Sequence, residues 1–499
     1  MEETTLDRPG NYIAGRFVPP RAPEGEIVLR SPADQRDLTG IHPFARSVLD
    51  DAIAAARAAF APWRRLGDAA RRDLLRRYRD RLSANAEPLA RAISREIGKP
   101  LWEARAEVHA MMAKVDLSLG DGAAWTTDRS VMDLPGEIRF RPHGVVAVIG
   151  PFNFPGHLPN GQIVPALLLG NTVVLKPSEK APGVGTWMAR AFHEAGFPAG
   201  VFSVVQGDAS VAGALTAHEG VDAILFTGSV AVGKKIALAN VDRIERLVAL
   251  ELGGKNASIV LDDCDLERSA REIAFAAFAT TGQRCTATSR VFATPGVADA
   301  LSDRIAEIAR ATSVGYPFDD GVFMGPLVSE HARSTLLAAQ AAARVAGYEP
   351  VVPGGALDVP GHEGFYVRPA LHRARSLSVD APQYKDCELF GPDLAVYVVR
   401  DLDEAIDAAN DTRFGLSAAV FTRSRESFDR AADDLRVGVL HWNRSSAGAS
   451  GRLPFGGIKQ SGNHRPAGIL AGVQCAYPLG VLLPAAEDAP LPSWPGFGV

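Results

Sequence analysis

The chain runs to 499 residues, 46% of them hydrophobic and 22% charged; this ordinary globular usage excludes collagen-like, coiled-coil and disordered classes and allows about three domains. Its 53 Lys and Arg against 58 Asp and Glu leave a formal charge of -5, so no basic excess points to a nucleic-acid partner. The longest apolar stretch, residues 163–175, is interrupted by Pro165, Gly170 and Asn171 and falls short of the ~20 residues that span a bilayer, so no membrane partner is expected.

In chain order, residues 11–18 (NYIAGRFV) alternate around a turn and predict a short hairpin. Residues 47–64 and 69–97, rich in Ala, Leu and Arg at helical spacing, predict two or more amphipathic helices. The arginines from Arg64 to Arg81 are interspersed with Asp and read as a solvated helix face. Residues 129–141, charged and turn-rich, end in the alternating EIRFR and predict a protruding hairpin. From Val145 the runs VVAVIG, NTVVLKP, FSVVQG, DAILFTG and ASIVLD suit buried parallel strands, separated by helical or loop segments. After the glycine pair Gly253 and Gly254 come a helical pattern over 266–280, SRVFAT, a helix over 297–311, LAVYVV, a helix over 404–410, AAVFT and GVLHWN. The fold class is therefore α/β, with two doubly wound lobes and a cleft between them. The first lobe takes residues 1–128 and 145–251, the second 252–472. Segments 129–144 and 473–499 form a small β element and tail, the first segment pairing with a strand-like run at about 475–483.

Four cysteines, Cys264, Cys285, Cys387 and Cys475, are far apart and form no CxxC or Cys/His cluster, so neither a disulfide framework nor a metal site is expected. The N-terminal residues carry acids and no apolar core, which leaves a reducing cytoplasm as the default compartment. Among the thiols Cys285 stands out. Its neighbours Gly282, Gln283, Arg284 and Thr286 are poor core material, and a thiol on a polar turn can be accessible and tuned towards thiolate. Cys264 lies among carboxylates in DDCDLE, where like charge disfavours the thiolate. Glu251, in VALELGG, is an acid on a buried strand; apolar surroundings would raise its pKa towards neutrality and suit it to general-base work.

Seven motifs stand in order: PFNFP (151–155), KPSE (176–179), FTGSVAVG (226–233), LELGGKN (250–256), TGQRC (281–285), ELFGP (388–392) and PFGGIKQSG (454–462). Together they resemble the aldehyde dehydrogenase superfamily over about residues 11–480. The resemblance implies that Cys285 is the nucleophile, Glu251 the base that directs water at a thioester, and Asn153 a side-chain donor to the oxyanion. It also makes the first lobe the NAD-binding one and the second the catalytic one. The usual GxGxxG is absent, but TGSVAVG supplies Gly228 for close backbone approach and Ser229 at a helix start for phosphate. Lys176 and Glu179 are implied at the adenosine ribose, where a carboxylate repels a 2′-phosphate and favours NAD over NADP. Glu388 and Phe390 are implied at the nicotinamide ribose and ring, and Phe152, Ser178 and Gly253 complete the implied cofactor site. The small β element resembles the family's subunit-exchange elements and implies a homodimer or homotetramer.

GHLPNG after the catalytic Asn, SGNHRP at 461–466 and QCAYP at 474–478 are most similar to the branch that oxidises N-succinylglutamate 5-semialdehyde in arginine catabolism. Such a substrate carries several carboxylates, which call for cations or amide donors. The candidates are Arg284, Arg444 and Arg465, with His157 and Asn160 as weaker donors. The sequence departs from that branch at Lys459, Gln460, TATSR and residues 441–453. Another semialdehyde, a CoA-acylating reaction, or a catalytically idle binding homologue remain as alternatives.

Overall fold

The computed structural model describes residues 10–377, 381–484 and 494–496. The first nine residues of the first predicted lobe and most of the predicted tail lie outside the described residues. Five apolar runs form one sheet: β1 (Val145–Ile149), β2 (Thr172–Lys176), β3 (Phe202–Val204), β4 (Ala223–Thr227) and β5 (Leu247–Glu251). They pair in parallel in the order β5-β4-β1-β2-β3. The predicted hairpin, Asn11–Ile13 with Arg16–Val18, adds to the β3 edge antiparallel, Tyr12 opposite Val204. Every residue of β1 and β2 is buried, because helices cover both faces; continuous apolar runs replace alternation for that reason. The chain passes from β1 to β2 on one side and reaches β4 on the other. A crevice therefore opens at the carboxyl ends of β1 and β4, the usual ligand position in an open α/β sheet.

Residues 252–255 lead directly into a second parallel sheet, built from β6 (Asn256–Val260), β7 (Thr288–Ala293), β8 (Ala370–Arg373), β9 (Asp393–Val398), β10 (Ser417–Phe421) and β11 (Val439–Trp442). Its order is β8-β9-β7-β6-β10-β11, with Glu349–Pro353 antiparallel on the β8 edge. Because β5 and β6 are nearly contiguous, the carboxyl end of β5 faces the start of the second sheet. The mixed α/β class with two parallel sheets agrees with the sequence reading. A smaller antiparallel sheet joins Arg129–Ser130, Gly136–Pro142 and Ala476–Leu482, with Gly136 opposite Leu482 and Pro142 opposite Ala476.

Four helices position the site: α1 (Leu101–Leu119), α2 (His157–Leu168), α3 (Val230–Ala239) and α4 (Leu266–Phe278). The sequence reading assigns no element to α1, whose buried positions include Glu103, Glu107, Lys114 and Ser118. Polar residues on the inward face erase the apolar stripe from which an amphipathic helix is recognised. Elsewhere the helical run 69–97 divides at Asn85, which leaves helical geometry at ψ 22°. The arginine-rich face needs one correction. Arg71 is buried, 9% exposed, and its guanidinium donates to the carbonyls of Leu168 (2.8 Å) and Arg64 (3.0 Å), tying two helix ends together. Its neighbours Arg72 and Arg77 pair with Asp68 and Asp73 one turn away, as a solvated face would.

Candidate active site

Helix α4 stops at Phe278, short of the predicted Thr280, because Thr280 and Thr281 adopt left-handed backbone with φ of 55° and 57°. That conformation is strained for a β-branched residue and persists only where its surroundings impose it. Here Glu103 accepts from Thr280 N (3.0 Å) and Thr280 Oγ1 (2.9 Å), and Thr281 Oγ1 donates to the Gly325 carbonyl (2.9 Å). The reversal brings the Cys285 backbone against residues 254–256, where the chain enters the second sheet. The Cys285 carbonyl accepts from Asn256 Nδ2 at 2.8 Å, and a Cβ on Gly254 would sit 2.5 Å from that same oxygen. Gly254 is thus needed for close approach of two backbones. The polar flanks of Cys285 suggest a thiol tuned towards thiolate; the structure differs. Loss of water around it, then the nearby carboxyls of Glu251 and Glu388, push the Cys285 thiol up to about 12.

Glu251 ends β5 and is 5% exposed, with no hydrogen-bond partner for Oε1 among the described residues. Burial raises its pKa from 4.5 to about 8, the direction its apolar neighbours imply. A carboxyl of that kind holds its proton loosely near neutrality and can accept one from water. The outer edge of β5 is pinned by the loop after Lys459: Asn463 Oδ1 accepts from Leu250 N (2.7 Å) and Asn463 Nδ2 donates to the Val248 carbonyl (3.0 Å). The backbone joins in, with Asn463 N donating to Leu250 O and Leu252 N to Ser461 O, both at 3.0 Å.

Asn153 follows β1 across the crevice. It is 3% exposed, and its Nδ2 donates to the carbonyl of Gln283, two residues before the thiol, at 3.0 Å. Phe152 meets Phe390 edge to face at 5.7 Å. Glu388 Oε1 accepts from Gly254 N (3.0 Å), and a Cβ on Gly253 would collide with Glu388 Oε2. Burial lifts the Glu388 carboxyl to about 7. The carboxyl ends of β2 and β4 bring the remaining cofactor candidates to the same crevice. Lys176 Nζ lies 3.5 Å from Glu179 Oε2, and burial lowers its pKa. Ser178 Oγ accepts from Lys180 N, while Ser229 caps α3 by accepting from Val232 N at 3.3 Å. A Cβ on Gly233 would approach the Leu252 side chain to 2.7 Å, so this glycine lets the first turns of α3 sit against the end of β5. A helix N-terminus for phosphate, a Lys and Glu for ribose hydroxyls, and an aromatic pair after β1 fit a dinucleotide.

A model of the aldehyde dehydrogenase family matches residues 17–476. The chain belongs to the aldehyde dehydrogenase family. It is 41% identical to N-succinylglutamate 5-semialdehyde dehydrogenase of Chromobacterium violaceum over 476 residues, 94% of this chain and 96% of that protein. The Novosphingobium aromaticivorans protein of the same name is 41% identical over 460 residues, covering 91% and 95%. Among solved structures, an NAD-dependent aldehyde dehydrogenase from Sinorhizobium meliloti superposes with a TM-score of 0.90 at 32% identity, covering 96% of this chain and 95% of that one. A mutant of aldehyde dehydrogenase C from Pseudomonas syringae, solved with NAD+ and octanal, gives 0.90 at 32%, covering 97% and 99%.

Within this aldehyde dehydrogenase the five residues suggested for substrate carboxylates divide. Asn160 is fully buried and both ends of its amide are used: Oδ1 accepts from Tyr78 OH (2.9 Å) and Nδ2 donates to the Met111 carbonyl (3.0 Å). It braces α2 against α1 and is shut away from the crevice by its burial. His157 turns its ring towards Phe154 at 6.4 Å, its backbone N–H goes to Glu107, and burial lowers its pKa to about 4, so it is a neutral ring. Arg284 donates to Glu103 (2.6 Å) and to Thr280 Oγ1 (2.8 Å), which spends its fork on shaping the thiol turn. Arg444 and Arg465 are exposed and form no ion pair among the described residues. Arg465 also lies near Glu251: a Cβ on Gly456 would be 2.5 Å from Arg465 Cα and 2.7 Å from Glu251 Oε1.

Several residues the sequence reading passed over hold the site. Lys99, Glu103, Glu107, Asn256 and Asn463 touch the loops that carry Asn153, Cys285 and Glu251. Asn256 and Asn463 fall inside motifs that were recognised, but a side chain bonded to distant backbone leaves no periodic signal.

Proposed function

We propose that the enzyme oxidises N-succinylglutamate 5-semialdehyde to N-succinylglutamate, with NAD as the hydride acceptor. The observation that carries the substrate is the 41% identity, over more than nine-tenths of the chain, to proteins named for that reaction. Support for NAD comes from the NAD-dependent Sinorhizobium meliloti relative, from the Pseudomonas syringae one solved with NAD+, and from the donor set at the crevice. Gly228, Ser229 and the start of α3 would hold its phosphates, Lys176, Ser178 and Glu179 its adenosine ribose, and Phe152, Gly253, Glu388 and Phe390 its nicotinamide half. When bound, NAD supplies the hydride acceptor. Cys285, once deprotonated, attacks the aldehyde carbon, and the developing oxyanion is received by the Asn153 amide and the Cys285 backbone N–H. Loss of hydride leaves a thioester on Cys285. Glu251 then takes a proton from water, which attacks the thioester and releases the carboxylate and the thiol.

Substrate carboxylates fall to Arg444 and Arg465, the two candidates whose guanidinium groups are not already bonded. Residues up to 128 together with 145–251 act as the cofactor lobe and 252–472 as the thiol lobe, in a cytoplasmic enzyme. The antiparallel element of 129–144 and 476–484 forms the subunit contact of a homodimer or homotetramer. Its strand 476–482 exposes Tyr477 (47%), Leu479 (41%) and Leu482 (75%), apolar surface that a second copy would cover.

The test is kcat/KM for N-succinylglutamate 5-semialdehyde beside uncharged aldehydes of similar length. Each well-made carboxylate contact is worth roughly 1.5–3 kcal/mol, so a preference of about tenfold or more per carboxylate is expected. Equal or better turnover of the uncharged aldehydes refutes the substrate and leaves the family chemistry standing.

A further inference from the structure

Two carboxylates one turn apart on the buried face of α1 reach both loops that carry the reaction. Glu103 grips the thiol turn through Thr280 and Arg284. Glu107 Oε1 accepts from the backbone N–H groups of Gly156 (2.9 Å) and His157 (3.0 Å), where α2 begins, just after Asn153. Its Oε2 takes Lys99 Nζ at 2.7 Å, and the same ammonium donates to the Asn153 carbonyl at 2.7 Å and lies 3.9 Å from the centre of the Phe154 ring. The Lys99 and Glu107 side chains are 1% and 0% exposed.

A buried ion pair is a poor way to gain stability, since apolar residues of the same volume often do as well or better. What this pair adds is direction. Asn153 is held from below by a charge-assisted bond to its carbonyl, and its amide meets the Gln283 carbonyl on the thiol turn at 3.0 Å. The turn is in turn fastened to Glu103, one helical turn from Glu107 on the same rigid element. A helix is stiffer than either loop, so it fixes the distance between the amide and the thiol that neither loop could fix alone.

We propose that Lys99 and Glu107 are positioning residues: through the Asn153 carbonyl they hold the Asn153 amide in register with the thiol turn that Glu103 grips one turn from Glu107 on α1. The proposal rests on the reading of Asn153 as the oxyanion donor. Misplacing such a donor without deleting it slows chemistry roughly 10- to 100-fold.

The experiment is a double-mutant cycle on the full-length enzyme. The charge-removing variant is Lys99→Met with Glu107→Gln; Gln keeps an oxygen for the Gly156 and His157 N–H groups and avoids leaving a lone buried charge. If that pair does not fold, Lys99→Met alone carries the same cycle. Single-turnover acylation, the KM for aldehyde, the melting temperature and the rate of Cys285 alkylation are read with Asn153 present and with Asn153→Ala. Expected is acylation slowed roughly 10- to 100-fold, with KM and alkylation nearly kept, when Asn153 is present. In the Asn153→Ala background the same substitutions should cost less than about threefold, because the group they aim is gone. Equal losses in both backgrounds, or no loss with Asn153 present, overturn the proposal and leave the oxyanion reading intact. Asn153→Ala that acylates at the normal rate removes the oxyanion reading and this proposal together.

Discussion

Replacing Glu251 by Gln separates the two halves of the reaction. The amide has the shape of the carboxyl, and because Glu251 Oε1 has no hydrogen-bond partner among the described residues, the substitution breaks no contact there. General-base catalysis contributes typically 10²–10⁴-fold, or about 3–5 kcal/mol of barrier, and the variant should lose that much from thioester hydrolysis alone. In the proposed mechanism acylation and hydride loss use Cys285 and Asn153, so mixing enzyme, NAD and aldehyde in a stopped-flow absorbance experiment should give a burst of about one reduced nicotinamide per Cys285, then slow turnover. With the carboxyl at about 8, the wild-type hydrolysis rate should climb about tenfold per pH unit below that value and then level. The same shift has a stability consequence. The folded chain keeps this proton where the unfolded chain, at 4.5, has lost it, so the contribution is full below about pH 4.5 and disappears as pH rises through about 8. Glu251→Gln should therefore flatten the decline of melting temperature across that window. Normal steady turnover by Glu251→Gln, or the absence of a burst, would refute the assignment of Glu251 as base.

Cys285, with its thiol pushed up to about 12, should alkylate slowly with iodoacetamide at pH 7 in the enzyme alone and faster with every pH unit above; rapid alkylation that ignores pH would contradict the burial argument. Cys285→Ala should abolish oxidation while leaving the melting temperature within a few degrees. Gly253→Ala puts a Cβ into Glu388 Oε2 and should raise the KM for NAD with little change in Cys285 alkylation; an unchanged KM would show that Glu388 does not hold the cofactor. Asn463→Ala strips the partner from the Leu250 N–H and should cost about 1–3 kcal/mol, read as a drop in melting temperature. An unaltered melting temperature would mean that another group takes over that edge.

The two sheets were legible because strands buried on both faces need apolar side chains at every position, and runs such as VVAVI at 145–149 and NASIV at 256–260 can do little else. Their spatial order was not legible. Nothing in the composition of Ala223–Thr227 says that it crosses over to lie beside Val145–Ile149, yet that crossover opens the crevice. The boundary of α4 was missed by two residues for a related reason: Thr280 and Thr281 have helix-compatible neighbours, and only their tertiary bonds to Glu103 and Gly325 hold them in left-handed backbone.

The catalytic candidates Cys285 and Glu251 could be picked out because each is chemically out of place among its neighbours, and Asn153 because its motif stands in order with the others. The residues that aim them could not, because Glu103, Glu107 and Lys99 look in sequence like the charges of any solvated helix. In the fold they are buried, at 3%, 2% and 2% exposure, and their side-chain hydrogen bonds go to the Asn153 loop, the thiol turn or each other. Asn160 and Arg284 show the same logic in reverse: both lie beside the motif residues and carry suitable donors, but Asn160 donates to Met111 and accepts from Tyr78, and Arg284 donates to Glu103 and Thr280. Near a reacting centre a polar side chain either faces the substrate or fixes what does. The distinction is set by whether a rigid element stands behind it with a matching group. Here α1 stands behind the Asn153 loop and the thiol turn, so the polar side chains it presents there are already bonded, which is why the proposed contacts to substrate carboxylates pass to the exposed Arg444 and Arg465.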